Sequence, residues 1–282
     1  MNIGEERSGG RWPVPHGGHP EPLTAVAPRP VRRVLFRQAW RDLVFLHWEA
    51  DPFEVARLLP AGTTPDLFHG RAYVGLVFFR MRDLAVGHTP PLPRLGTFTE
   101  VNVRLYSRDG LGRRGVVFLS LDCDRLLPVL AARAGFGLPY RWSRTSHRWY
   151  GDRLLYRTRG RGGTRTGAHV WLDVARESAP PTPLDEFLTY RWGLHESVLK
   201  LTYYLPNTHP AWTFRRCALL GWDASVVAAA GLTPPAGDPV SVLYAPGVPV
   251  RFGPPVRLAH GRPGHSSALR SERASTEPGE RP

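Results

Sequence analysis

Lysine is all but missing from this 282-residue chain: of its 37 lysine and arginine residues, Lys200 alone is a lysine. Lys200 lies between Leu199 and Leu201, and as a strand residue it would face solvent opposite both leucines. Cysteine is nearly as scarce. Cys123 and Cys217 stand far apart in apolar settings and read as buried free thiols, which excludes a disulfide framework and a cysteine zinc site. No apolar run approaches the roughly 20 residues of a membrane helix. The N-terminus has Glu5 and Glu6 ahead of Gly/Pro-rich sequence where a signal peptide would have an apolar core. A cytoplasmic protein without a membrane partner is expected.

Other signatures are missing too. The 11 histidines, His47, His88, His147, His169, His195 and His209 among them, show no His-Glu-x-x-His or facial-triad spacing. Asp122 and Asp124 offer carboxylates, but Asp124 is better used as the cap of a helix over about residues 125–135. No glycine-rich phosphate loop follows a strand, no nucleophile elbow occurs, and Ser120 has no histidine near it in sequence. Neither a metal nor a cofactor is expected. Internal repeats and heptads are also lacking.

Positive charge is abundant, at a formal net +13. Residues 133–165 hold nine arginines and one acid, Asp152. Such a stretch suits phosphate contacts, yet no zinc-finger spacing, RNP-type strand or helix-turn-helix accompanies it. The near-total preference for arginine over lysine reads as a coding bias, and no specific nucleic-acid partner is expected.

The ends, residues 1–31 and 259–282, are rich in Gly, Pro, Ser, Arg and Glu and read as disordered or loosely draped tails around one domain at 32–258. Within it, residues 36–48 read as a long strand and Asp51-Pro52 as a helix start. Residues 71–80 form a nearly continuous apolar strand of the kind buried on both faces. The proline run at 88–93 lacks ladder donors and so is a loop, ordered over a cavity mouth. A hairpin turn falls at 109–112. Residues 140–149, 153–159, 168–176, 199–205, 212–220, 241–244 and 256–258 read as further strands, and Thr182-Pro183-Leu184-Asp185 opens a helix with a near capping box. Nine or ten strands with three or four short peripheral helices make a β-dominated α+β fold.

The most informative stretch is Phe98-Thr99-Glu100-Val101-Asn102-Val103-Arg104. A period of two sets Val101, Val103 and Leu105 on a core face and Glu100, Asn102 and Arg104 on the other. A solvent-washed sheet face is the commoner explanation of such a row.

These residues, together with Trp40-Arg41-Asp42-Leu43-Val44-Phe45-Leu46-His47-Trp48, Ala72-Tyr73-Val74-Gly75, Ser120-Leu121-Asp122, Gly137-Leu138-Pro139-Tyr140 and His209-Pro210-Ala211-Trp212, resemble the YqjF-like family of uncharacterised bacterial proteins. That family sits in the acetoacetate decarboxylase-like superfamily. The resemblance spans about residues 31–258 and implies an antiparallel β-cone, or partly closed barrel, around a cavity. Phe98-Thr99-Glu100 resembles the segment that supplies a cavity glutamate in acetoacetate decarboxylases. Gly137-Leu138-Pro139-Tyr140-Arg141 resembles the segment that supplies the Schiff-base lysine and the lysine that lowers its pKa. Tyr140 and Arg141 replace both lysines, and neither forms an imine.

The resemblance therefore implies a cavity with Glu100 as general base, Tyr140 as proton donor, and Asn102, Arg104 and Arg141 as ligand-binding groups. A small carbonyl or carboxylate compound is the guest that fits. A non-catalytic metabolite binder, or a purely structural salt-bridge network, uses the same residues, and a homo-oligomer is compatible with all of these readings.

Overall fold

The structure is a computed structural model, and it describes residues 18–126, 137–161 and 166–258. The strands are β1 (Phe36–Ala50), β2 (Thr63–Pro65), β3 (Ala72–Val86), β4 (Phe98–Asp109), β5 (Arg114–Cys123), β6 (Tyr140–Tyr150), β7 (Arg153–Gly160), β8 (Gly167–Ser178), β9 (Gly193–Val198), β10 (Leu201–Thr208), β11 (Arg215–Asp223), β12 (Ser241–Phe252) and β13 (Val256–Arg257). Three short helices among the described residues interrupt them: α1 (Pro52–Leu58), α2 (Pro183–Thr189) and α3 (Ser225–Ala229). The β-dominated α+β class stands, with more strands than the sequence pattern resolves.

One sheet holds all 13 strands, and the pairing of β4 with β5 closes nine of them, β5-β6-β7-β8-β11-β12-β1-β3-β4, into a barrel. On the other side, β9 and β10 bridge from β5 to β12, so five strands, β12-β1-β3-β4-β5, are a wall common to two compartments. Both branch points are short. β5 runs parallel to β6 at Leu121–Cys123 and to β9 at Val116, while β12 meets β11 at Tyr244 and β10 at Phe252. These parallel contacts are the departures from the expected antiparallel barrel.

The alternation of side chains along the common wall decides what fills each compartment. Val44 and Leu46 of β1, Leu76 and Phe78 of β3, and Val101, Val103 and Leu105 of β4 pack against Leu154, Tyr156, Val170 and Leu172 of β7 and β8 in a continuous apolar core. At about 1.5–3 kcal/mol for each large side chain fully buried, this face supplies much of the drive to fold. The alternate residues Phe45, Val77, Phe79 and Phe98 face the second compartment.

Local signals hold the helices. Asp51 caps α1 by accepting from Phe53 N, with Pro52 in the first turn. Thr182 and Asp185 form a full capping box on α2. The helix expected over 125–135 falls largely outside the described residues; Asp124 accepts a 3.4 Å hydrogen bond from Thr99 N.

Three expectations need correction. Lys200 is not a strand residue: with Leu199 it forms the β9–β10 turn, both at positive φ. Residues 18–31, expected as tail, lie against the sheets, where Thr24 O accepts from Trp192 Nε1 at 3.0 Å, Glu21 O from Arg114 Nε at 2.7 Å, and Tyr204 Oη from Arg29 at 3.2 Å. Composition could not show this, because backbone carbonyls make two of the three contacts. Cys217 is only partly buried, although it is free like Cys123.

Candidate functional site

The second compartment encloses a cavity of about 560 Å³. Its polar wall is β4. Glu100, Asn102 and Arg104 point into it, as the alternation predicts, and the registers place Phe79, Val77 and Gly75 of β3 beside them. Trp40, Leu43 and Phe45 of β1, Leu121 of β5 and Leu138 just before β6 supply apolar walls. Leu92 and Leu95, in and just beyond the proline run, line it at one end, as expected of a loop over a mouth.

Glu100 is buried with no cation on it among the described residues. Its Oε2 accepts from the Tyr140 hydroxyl at 2.7 Å and its Oε1 from Asn102 Nδ2 at 3.3 Å. Burial pushes its carboxyl up from 4.5 to about 7, against the smaller downward pull of these two hydrogen bonds. Burial, and the Glu100 carboxylate beside it, push the Tyr140 phenol well above its ordinary 10. The dyad therefore carries its proton close to neutral pH. Asn102 Oδ1 and Trp40 Nε1, both in the cavity lining, have no hydrogen-bond partner among the described residues.

Arg104 lies at the other end of the row. Its Nε donates to Tyr106 Oη at 3.1 Å, an Nη donates to the Leu188 carbonyl of α2 at 3.1 Å, and the guanidinium carbon sits 5.3 Å over the Phe45 ring. No carboxylate pairs with it among the described residues, so it is a fixed cation facing an apolar chamber. Gly75 makes room: a Cβ there would lie 2.7 Å from Tyr106 Oη and 3.2 Å from both Arg104 Cγ and His47 Cδ2.

Arg141 is not in the cavity. It pairs with buried Asp122 at 2.7 Å, and Asp122 also accepts from Thr158. The reason is parity: Tyr140 and Arg141 are adjacent on one strand, so only one of them faces the cavity. The structure thus brings together Glu100, Asn102, Arg104 and Tyr140, and leaves Arg141 outside.

Other polar clusters went unread in the sequence. Arg114 and Arg191 both pair with Asp66, all three from separate parts of the chain. Ser107, His195 and Asp109 have the composition of a hydrolase triad, with Ser107 Oγ 2.8 Å from His195 Nδ1 and Asp109 Oδ2 3.4 Å from Nε2. Ser107 and His195 are fully buried, and neither lines the cavity. The apolar cavity lining was also missed. Its one signal was the alternation of Val77, Phe79 and Met81, hidden inside a run that is apolar on both faces.

Among the described residues no group of three or more His, Cys, Asp or Glu side chains is placed to hold a metal, and no helix is long and apolar enough to cross a membrane.

Residues 37–249 match the profile of DUF2071, an uncharacterized conserved protein family. The uncharacterized protein YqjF of Bacillus subtilis (strain 168) is 30% identical over 222 residues, covering 78% of this chain and 91% of YqjF. Among solved structures, acetoacetate decarboxylase from Legionella pneumophila subsp. pneumophila str. Philadelphia 1 superposes with a TM-score of 0.56 at 17% identity, over 83% of this chain and 92% of that one. The enduracididine biosynthesis enzyme MppR complexed with pyruvate gives 0.55 at 14% identity, over 81% and 92%. The fold is that of the acetoacetate decarboxylase-like proteins.

Proposed function

The chain belongs to the DUF2071 family of YqjF-like proteins, within the acetoacetate decarboxylase-like superfamily, and from that premise we propose that it binds and transforms a small carbonyl or carboxylate compound by acid and base chemistry without a Schiff base. One observation carries the reading: one apolar cavity holds, at Arg104, a fixed guanidinium with no counter-charge among the described residues and, at Glu100, a carboxyl poised near neutrality. Arg104 anchors the carboxylate of the guest. Glu100, as the carboxylate, takes a proton from carbon next to a carbonyl and becomes the neutral acid that returns it to that carbon or gives it up to solvent, while Tyr140 donates a hydrogen bond to the oxygen where charge develops. The pyruvate complex of MppR supports an oxo acid as the class of guest.

No lysine lines the cavity, and Lys200 is in an exposed turn, which supports a route without an imine. Proton NMR in deuterium oxide tests the reading. Wild type should speed exchange of the hydrogens next to the carbonyl of pyruvate or a 3-oxo acid, and Glu100→Gln and Tyr140→Phe should each remove most of that acceleration. Binding without accelerated exchange would instead establish a non-catalytic metabolite binder, for which the same cavity suffices.

A further inference from the structure

We infer that the natural guest is an amphipathic carboxylate, its charged head on Arg104 and its extended apolar body lying along the cavity to a mouth formed by residues 84–95. The inference rests on the proposed carbonyl or carboxylate reading and adds to it the size and polarity of the guest.

Apart from Gln38, Trp40 and Tyr140, the polar lining groups stand in one row on β4. From Phe98 to Arg104 the wall strand advances six residues, about 20 Å at strand rise. Along it the lining side chains run from apolar Phe98 through polar Glu100 and Asn102 to cationic Arg104. Beside Phe98 the register brings Met81, and across β1 and β3 it brings Phe36 opposite Val86, so the chamber beyond Glu100 is walled mainly by apolar side chains, with Gln38 between Phe36 and Trp40 as the polar exception.

That end is open. Val86, Leu92 and Leu95 line the cavity and are yet 45%, 39% and 37% exposed. The loop that carries two of them is held in place, with Leu92 N donating to Leu84 O at 2.8 Å and Gly96 N to Leu92 O at 3.0 Å. Three exposed apolar side chains at the rim of a cavity gain by contact with an apolar guest entering there. The volume of about 560 Å³ is in the range that takes a ligand of drug-like size. A pyruvate-sized acid on Arg104 leaves the apolar half without a partner, whereas a longer chain covers it. Among the described residues Arg104 is the one cation lining the cavity, so the head group belongs there and the chain runs past Asn102 and Glu100 toward the mouth.

Calorimetric titration of the full chain with straight-chain carboxylates from acetate to decanoate, beside pyruvate, tests this. Affinity should rise about fourfold with each added methylene until the cavity is filled. Arg104→Gln should weaken every member by about tenfold or more and keep the dependence on length. Leu95→Glu, a change at an exposed rim position that puts folding at little risk, should flatten that dependence. Affinity that does not change with chain length would overturn the inference. Retained pyruvate binding that is lost in Arg104→Gln would then leave the proposed function standing, while failure of pyruvate and of every other carboxylate to bind would remove both. Long-chain binding unaffected by Arg104→Gln would also overturn the assignment of the head group.

Discussion

Replacing Glu100 by glutamine removes a cavity carboxyl whose charge depends on pH near neutrality, and the structure gives the sign and size of the effect. Glutamine keeps the shape of the side chain. Its oxygen can accept from Asn102 and its amide can donate to the Tyr140 oxygen, so both present contacts have replacements. In wild type the carboxyl is raised from 4.5 to about 7 by burial. A raised folded-state value means that the folded protein holds this proton more tightly than the unfolded chain. The associated stability is fully present below about pH 4.5 and is lost as the pH rises through about 7. At about 1.4 kcal/mol per unit, the whole loss is about 3 kcal/mol. Glu196, which burial raises to about 8, acts in the same direction but is present in both proteins and cancels from the difference. Urea unfolding of wild type and Glu100→Gln, repeated from pH 4.5 to 8.5, should show the variant gaining on wild type by about 3 kcal/mol across that range. A constant difference would mean that Glu100 does not titrate in this window. A variant that loses ground as pH rises would mean that a cation, unseen in the structure, pairs with Glu100 and is stranded by the change.

The remaining expectations are more local. Gly75→Ala forces its new Cβ against Tyr106, Arg104 and His47, so it should cost about 1–3 kcal/mol in a denaturant melt and weaken carboxylate binding as well. Arg141→Gln leaves buried Asp122 with Thr158 as its remaining partner among the described residues and should cost about 1–2 kcal/mol, the pair being partly exposed, without changing ligand affinity. Borohydride added with acetoacetate should leave the intact mass unchanged, because Lys200 lies in an exposed turn away from the cavity; an adduct on Lys200 would contradict the imine-free route.

The sequence carries most of what is periodic or local. The row Glu100, Asn102 and Arg104, set against Val101, Val103 and Leu105, reads correctly because strand parity is rigid, and Asp51 and Thr182 read correctly because a cap is settled within four residues. The same parity, applied to β6, separates Arg141 from Tyr140; the family motif drew them together, and the strand sets them apart. β9 was missed because its turn to β10 uses Leu199 and Lys200 at positive φ, where turn chemistry favours glycine or asparagine. The length of β12 was hidden by Pro246, Gly247 and Pro249. The strand nevertheless continues past Gly247, where a Cβ would lie 2.2 Å from Trp40 O. Which cation lies near which acid was not legible at all. The partners of Asp66 come from 48 and 125 residues away, and nothing local records such distances.

Leucine methyl groups separate the two faces of the common wall, and so test the cavity claim most directly. Leu84, Leu92, Leu95, Leu121 and Leu138 line the cavity, while Leu46, Leu76, Leu154 and Leu172 fill the opposite core. In a leucine-methyl-labelled sample titrated with a medium-chain oxo acid, the first group should shift progressively to saturation and the second should stay in place. Saturable shifts confined to the second group or to surface leucines, or no shifts at any concentration, would contradict the claim that this cavity is the ligand site.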